Sequence, residues 1–236
     1  MIYISQPTFF PWIGYFSYLL KCEKLIFLDD VQFSKRSWHQ RNRILINQKI
    51  DYITLPVKSK GLYSQKLNNT EISSVKSLDK IFETIRHNYN KSKFFSDIFN
   101  ELEKTKKSIL LNDRLSEINI KFIKKLCVLL DIKIQFITSS DLKVDGIKSE
   151  RLINICKKLN QNTLLNNEGS IEYIKNDLKK FKKNKINLEF YKYEPINYSQ
   201  NSKKFEHSLS IIDLLFNEGP RSKEILLKGL TQINLN

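Results

Sequence analysis

Short apolar runs alternate with amphipathic stretches along the chain, and this alternation predicts strands that are followed by helices. Residues 1–5 are rich in β-branched and aromatic side chains and predict a strand. Apolar residues at helical spacing from Trp12 to Cys22 predict a helix, and the continuous apolar run at 24–30 predicts a buried parallel strand. Strand, helix and strand in this order form a βαβ unit, which implies a parallel sheet with a right-handed crossover.

The remaining pattern predicts a hairpin, a helical segment and a return to alternating elements. RILIN and DYITLPV predict the two hairpin strands, and helices are expected over 76–90 and 94–130. Further strands are predicted at 132–140, 163–167 and 186–194, and further helices at 149–160, 171–181 and 209–217. No linker rich in Pro, Gly or Ser divides the chain. We therefore expect a single α/β domain over residues 1–236, with a mainly parallel sheet, flanking helices and a helical insertion at about 76–130.

Composition excludes several classes of protein. With 236 residues and 41% hydrophobic positions, the chain has enough apolar side chains for a substantial core, which argues against disorder. No run approaches the roughly 18 apolar residues of a membrane span, and the first residues lack a signal-peptide pattern, so we expect a cytoplasmic protein. The three cysteines are far apart and form no CxxC pair, which argues against a zinc site or a disulfide framework and favours packing roles for Cys22, Cys127 and Cys156.

The formal net charge of +15 indicates an anionic partner such as a nucleotide, a nucleic acid or a phosphorylated sugar. Much of the surplus is Lys, as in the run KKFKKNK, which is also typical of solvated helix ends. Charge alone leaves both interpretations open.

The candidate binding residues fall where predicted strands end, which is where parallel sheets bind ligands. In QPTFFPWIGYF, Pro7 and Pro11 restrict the backbone and Gly14 permits close approach, while Trp12 and Tyr15 offer flat surfaces. The start of the following helix favours an anion. A rigid aromatic turn that only packs the sheet edge is the alternative.

The second strand ends in a pair of carboxylates, Asp29 and Asp30. As neighbours on a strand they should point to opposite faces, so that only one faces a cleft and a metal pair is not expected. The basic and aromatic residues that follow suit a nucleotide or a single-stranded nucleic acid, although a solvated basic hairpin would look the same: Lys35, Arg36, Trp38, His39, Arg41 and Arg43.

The other candidates for chemistry are isolated. His87 lies in a predicted helix, and Ser208 or Ser210 is expected to cap the helix that contains Asp213. A Ser-His-Asp triad from His207 and its close neighbours is not expected, and no Walker loop, GxSxG, HExxH or GxGxxG motif is present.

Two family resemblances extend this interpretation. The strand, PTFFPWIGYFSYLL and the strand containing KLIFLDD resemble nucleotidyltransferases and pantothenate synthetases of the HUP-like α/β class. Those enzymes carry His-x-Gly-His in this turn; here Gly14 matches the glycine, whereas Trp12 and Tyr15 occupy the histidine positions. The adenylyl-transfer chemistry of that class is therefore not expected.

Nearly the whole chain resembles the WbqC-like family of bacterial proteins, through ISQPTFFPWIGYF, KLIFLDDVQFSKRSWHQRNRIL, YITLPV, YNKSKFF, SERLINICKKLN and FEHSLSIIDLLFNEG. The stretch NNEGSIEY departs from the family, where relatives usually have a more Gly-rich loop. The resemblance implies a role in O-antigen or capsule biosynthesis, often with amino-sugar modification. Its hallmark positions are Gln6, Pro7, Pro11, Gly14, Tyr15, Asp29, Asp30, Gln32, Lys35, Trp38, Arg41, Asn42, Ser210 and Asp213.

Together these observations lead to the hypothesis of a transferase that attaches an acyl or aminoacyl group to a nucleotide-linked amino sugar. Asp29 or Asp30 would accept the amine proton, with His87 as the reserve base. Arg41 and Lys35 would hold phosphates. The other residues expected to bind substrate are Gln6, Pro11, Trp12, Gly14, Tyr15, Gln32, Trp38, Asn42 and Ser210. Acyl-CoA, an acyl carrier protein and aminoacyl-tRNA are the donors considered. The alternative is a non-catalytic protein that binds nucleic acid or a carrier.

Overall fold

The computed structural model describes residues 1–234 and gives an α/β architecture. The strands are β1 Ile2–Ser5, β2 Lys24–Phe27, β3 Arg41–Ile46, β4 Lys49–Thr54, β5 Gln135–Thr138, β6 Thr163–Asn167, β7 Asn187–Tyr193 and β8 Leu230–Ile233. The helices are α1 Ile13–Leu19, α2 Lys76–Tyr89, α3 Phe95–Lys107, α4 Leu115–Leu129, α5 Ser139–Leu142, α6 Lys148–Lys158, α7 Ile171–Ile174, α8 Leu178–Lys183, α9 Ile211–Glu218 and α10 Ser222–Lys228.

Within the described residues the main sheet has six strands in the order β5-β2-β1-β6-β7-β8. All neighbours are parallel except β7 and β8, which pair antiparallel at one edge. The chain fills the sheet outward from β1 through β2 to β5, and then starts again on the other side of β1 with β6. The direction of winding therefore reverses between β1 and β6, which is the position where open α/β sheets bind their ligands.

Both faces of the sheet are covered, and alternate residues of each strand enter different cores. On β1, Ile2 belongs to one apolar cluster, which includes residues of α6 and α8, whereas Tyr3 belongs to the other, which includes residues of α1–α4, α9 and α10. Alternation of this kind follows from the two-residue period of a strand. The run of apolar residues in β2, which the sequence pattern assigned to a buried parallel strand, is explained by burial on both sides.

The predicted α/β class with a mainly parallel sheet is confirmed, and so is the βαβ unit from β1 to β2. The hairpin is confirmed with a register that pairs Arg43 with Tyr52. Its two turn residues are Asn47 and Gln48, and both have positive φ, as a type I′ hairpin turn requires. Helices α2, α3 and α4 occupy the segment 76–130.

Two differences appear in the second half of the chain. The helix predicted over 171–181 is two short helices joined by a 3-10 turn over Lys175–Asp177. Helix α10 and strand β8 were not predicted, because the pattern after residue 217 contains few apolar residues outside ILL at 225–227. No helix in residues 1–234 is long and apolar enough to cross a membrane.

Candidate functional site

A cavity of about 360 Å³ opens at the carboxyl ends of β1 and β6, where the winding of the sheet reverses. Ser5 is the last residue of β1 and Asn167 the last of β6, and both lie in its wall. The complete lining consists of Tyr3, Ser5, Thr8, Trp12, Tyr15, Trp38, Asn42, Arg43, Asn167 and Ser208. The position agrees with the general rule for ligand sites in parallel sheets.

The cavity contains two polar groups that the fold leaves without partners. The Tyr15 hydroxyl and the Arg43 Nε are both buried and make no hydrogen bond within the protein. Tyr15 as a whole is only 4% exposed, so its hydroxyl cannot be satisfied by bulk water on the outer surface. Because buried donors are normally paired, two unpaired donors beside one cavity mark it as the candidate ligand site.

The tyrosine hydroxyls of the cavity are protonated donors at neutral pH. Burial raises the pKa of Tyr3 to about 12, and it raises the pKa of Tyr15 well above its ordinary value. The Tyr3 hydroxyl accepts a hydrogen bond from Asn167 Nδ2 at 3.3 Å, which links β1 directly to the end of β6. The two rings meet edge to face, with centroids 6.0 Å apart. The cavity therefore combines four aromatic side chains with neutral polar groups and one guanidinium.

The indole of Trp12 forms another wall, and Gly14 is what allows it to lie there. A Cβ at position 14 would come within 2.2 Å of the Trp12 ring, so only glycine leaves room. This is the close approach expected for Gly14 from the sequence. The helix start that was expected to bind an anion is partly used within the fold, since the Ile13 N–H donates to the Leu209 carbonyl at 3.2 Å.

The loop before α1 is held against the hairpin by side chains that come from distant parts of the chain. The Asn42 amide donates to the Phe9 carbonyl at 3.2 Å. Asn119, in α4, donates to the carbonyls of Pro7 and His39 at 3.0 and 2.8 Å. His39 and Gln6 are hydrogen-bonded at 2.7 Å. Residues 6–15 and 38–43 are thus brought together at this edge of the sheet.

Ser210 and Pro11 serve the fold rather than the cavity surface. The Ser210 hydroxyl is completely buried, donates to the Phe10 carbonyl at 2.8 Å and accepts from the Ile212 N–H at 3.5 Å. It is thus the N-cap expected from the sequence, at the start of α9. The Pro11 carbonyl accepts from the Ile211 N–H at 2.9 Å, which fastens the same helix to the loop.

Asp29 and Asp30 do not point in opposite directions. Strand β2 ends at Phe27, so both aspartates lie in a turn, where the alternation of a strand no longer applies. The Ser139 hydroxyl lies within hydrogen-bond distance of both carboxylates. Asp29 also accepts from the Ser140 N–H at 3.0 Å and from its hydroxyl at 2.6 Å. Neither aspartate lines the cavity.

The Asp30 carboxylate forms a salt bridge with Arg151 at 2.5 Å, and both side chains are less than one-fifth exposed. Partial burial opposes ionisation of Asp30, but the Arg151 guanidinium and the Ser139 hydroxyl outweigh it and hold its pKa below the ordinary value. A carboxylate held ionised by a fixed cation is a weak proton acceptor.

Six other candidates are absent from the cavity lining: Gln6 and Gly14, whose contacts are given above, and His87, Lys35, Gln32 and Arg41. His87 lies on the exposed side of α2, and Lys35 is exposed in the loop before β3. The Gln32 amide donates to the Tyr63 carbonyl at 2.9 Å. The Arg41 guanidinium lies 4.4 Å from the centre of the Tyr52 ring.

Four residues of the lining were not among those expected to bind substrate. Arg43 was named from the sequence only as part of the basic segment, Ser208 only as a possible helix cap and Asn167 only within NNEGSIEY, and Tyr3 was not named at all. Arg43 lies two residues beyond Arg41 on the same strand, so the period of a strand could have marked it as sharing that face. No local signal connects Tyr3 with Asn167, because they are 164 residues apart in the chain.

The cysteines have no place in this site. All three are buried, and burial raises the pKa of each thiol to about 12, so they remain protonated at neutral pH. The packing role expected for them from the sequence agrees with their burial. No group of acidic, histidine or cysteine side chains suited to a metal ion occurs in the part of the chain that the structure describes.

Comparison with known proteins gives one family. The model of the WbqC-like protein family matches residues 6–225. The chain is also similar to an uncharacterized protein of Mycobacterium tuberculosis, with 30% identity over 227 residues that cover 94% of this chain and 96% of the relative. No solved structure shows significant similarity.

Proposed function

The chain belongs to the WbqC-like protein family, and we propose on that basis that it is a transferase of surface-polysaccharide biosynthesis. Membership of the family suggests a role in polysaccharide biosynthesis. The finer proposal is that an acyl or aminoacyl group is transferred to the amine of a nucleotide-linked amino sugar. The cavity between β1 and β6 is the proposed site for the sugar and the phosphate next to it.

The observation that carries this proposal is the pair of unpartnered donors inside an aromatic cavity. The rings of Tyr3, Trp12 and Trp38 offer flat apolar surfaces for a sugar ring. The Tyr15 hydroxyl would donate to a sugar oxygen, and the Arg43 guanidinium would bind the phosphate through charge-assisted hydrogen bonds. Each donor that lacks a partner in the protein thus gains one from the ligand.

The chemistry that fits this cavity is aminolysis of an activated acyl donor. The amine nitrogen of the sugar attacks the carbonyl carbon of a thioester or ester, a C–N bond forms, and the C–S or C–O bond breaks. The amine proton goes to the departing sulfur or oxygen. Within residues 1–234 the cavity lining contains no carboxylate or imidazole, so we assign no proton transfer to Asp29, Asp30 or His87.

Binding of glucosamine 1-phosphate tests the site, with Arg43→Ala and Arg41→Ala as a matched pair from one strand. Loss of one charge-assisted contact should weaken binding by about 1.5–3 kcal/mol in Arg43→Ala, or ten- to more than a hundredfold. Arg41→Ala should bind like the wild type, because Arg41 lies on Tyr52 outside the cavity. Equal losses in the two variants, or no binding by the wild-type protein, would refute the site.

The transfer itself is tested by mass spectrometry of the sugar. The protein is incubated with a uridine diphosphate-linked amino sugar and with acyl-CoA, acylated carrier protein or aminoacyl-tRNA in turn. The expected product carries a new amide at the sugar nitrogen, and Arg43→Ala should form it more slowly. If the protein binds the sugar but forms no product with any of the three donors, the sugar site is supported and the transferase assignment is refuted.

A further inference from the structure

A stack of two guanidiniums and two aromatic rings extends from the cavity across one face of the β3–β4 hairpin. The Arg41 guanidinium lies 4.4 Å from the centre of the Tyr52 ring. The centres of the Tyr52 and Trp38 rings are 6.2 Å apart, with 32° between their planes. The Arg43 guanidinium lies 5.5 Å from the centre of the Trp38 ring. The two rings therefore lie between the two cations, in the order Arg41, Tyr52, Trp38, Arg43.

The aromatic rings in this stack are open to solvent. Trp38 is 45% exposed and Tyr52 is 41% exposed, although most aromatic side chains of this protein are buried. Cross-strand pairing of Arg43 with Tyr52 places both on the same face of the hairpin, and Arg41 shares that face. The hairpin thus presents flat apolar surface and two positive charges together, which is the combination that binds nucleotides.

The stack and the cavity are continuous, because Trp38 and Arg43 belong to both. Arg43 lies at the junction, where a phosphate that links a base to a sugar would pass. A ligand with its sugar in the cavity would therefore extend its other end over Trp38 and Tyr52.

We propose that this stack is the nucleotide subsite of the ligand whose sugar occupies the cavity. The base lies on the Tyr52 and Trp38 rings, and the diphosphate is held by Arg43, while Arg41 lies at the other end of the stack on Tyr52. This assignment deepens the proposed function and rests on it for the position of the sugar. Stacking on an aromatic ring accepts any base, so the subsite selects for a nucleotide rather than for a particular base.

Tyr52→Ser is the test variant, and Tyr63→Ser is its control, since Tyr63 is 87% exposed and lies outside the stack. Three probes are titrated by calorimetry: uridine diphosphate, a uridine diphosphate-linked amino sugar and glucosamine 1-phosphate. Tyr52→Ser should weaken both nucleotide probes about tenfold or more and leave glucosamine 1-phosphate unchanged. Tyr63→Ser should leave all three unchanged, and melting curves confirm that both variants are folded.

The outcomes separate the subsite from the proposed function. Uridine diphosphate binding that depends on Tyr52, with no binding of glucosamine 1-phosphate, supports the subsite and refutes the sugar site. Binding of glucosamine 1-phosphate, with nucleotide affinities that Tyr52→Ser leaves unchanged, refutes the subsite alone. A short single-stranded RNA that binds through Tyr52 far more tightly than uridine diphosphate would also overturn the assignment, because the stack would then be a nucleic-acid surface.

Discussion

Gln6 and His39, 33 residues apart in the chain, are joined by a 2.7 Å hydrogen bond between Gln6 Oε1 and His39 Nε2. The Ser34 N–H donates to the other ring nitrogen, Nδ1, at 3.4 Å, so the proton of the neutral imidazole is on Nε2. His39 is 4% exposed, and burial lowers its pKa to about 4. A neutral histidine thus helps to hold the loop before α1 against the hairpin.

This buried imidazole makes the free energy of unfolding depend on pH. The folded protein binds the His39 proton less readily than the unfolded chain, whose histidines have a pKa near 6.5. The stability contributed by the neutral ring is therefore fully present above pH 6.5 and is lost as the pH falls toward 4. The loss is on the order of 3 kcal/mol for this shift.

In His39→Gln, the free energy of unfolding should fall less between pH 7 and pH 4 than in the wild type, as measured by urea unfolding at the two pH values. Burial raises the pKa of Asp213 to about 6, which gives a change of opposite sign over a similar pH range, but that change is common to both proteins and cancels in the comparison. The control is His87→Gln, because His87 is solvated in the folded protein. If the free energy of unfolding of His39→Gln fell between pH 7 and pH 4 as much as that of the wild type, the pH dependence would not come from His39.

Tyr15→Phe separates ligand binding from stability. The hydroxyl makes no hydrogen bond in the protein, so its removal should change the free energy of unfolding by less than about 0.5 kcal/mol. Affinity for glucosamine 1-phosphate should fall by about 0.5–1.5 kcal/mol, or roughly two- to tenfold. Tyr18→Phe, one turn later in α1 and outside the cavity, should leave affinity unchanged. Loss of stability without loss of affinity would show that the hydroxyl is structural.

Ser210→Ala should affect stability. The variant loses a buried hydrogen bond to the Phe10 carbonyl and the cap of α9, which together should cost about 1–2 kcal/mol in chemical denaturation. Ser208→Ala is the control, since Ser208 lines the cavity and makes neither contact. If Ser210→Ala keeps full stability and loses affinity for glucosamine 1-phosphate, Ser210 is instead a binding residue.

Asp30→Asn should destabilise the protein because it leaves the charge of Arg151 without its partner. We expect a loss of about 1–3 kcal/mol, since both side chains are largely shielded from solvent. Asp131→Asn is the control: Asp131 pairs with Lys223 at the surface, where such a pair contributes about 1 kcal/mol or less. A fall in turnover with unchanged stability would instead favour the catalytic role considered for Asp30 from the sequence.

Much of the local structure could be predicted from the chain alone. The elements β1, α1 and β2 each carry their signal within a few residues, as apolar alternation, helical spacing or a continuous apolar run. The two strands of the hairpin were predicted for the same reason. The prediction that Asp29 and Asp30 point to opposite faces was wrong because β2 ends at Phe27, before both of them, and strand boundaries are poorly marked in sequence.

The candidate site was decided by contacts between distant segments. The aromatic loop and the basic hairpin were recognised from composition, and Trp12, Tyr15, Trp38 and Asn42 were named among the candidates. Only the geometry of the hairpin decided that Arg43 lines the cavity, whereas Arg41 lies on the Tyr52 ring outside it.

The sequence by itself determined the class of fold, because periodicity and β-branched composition act over neighbouring residues. Only the tertiary structure decided that β6 lies beside β1, that Tyr3 meets Asn167 there, and that the Tyr15 hydroxyl is left without a partner. The physical reason is that strand order and the pairing of buried polar groups depend on the packing of the whole chain, which no local pattern encodes.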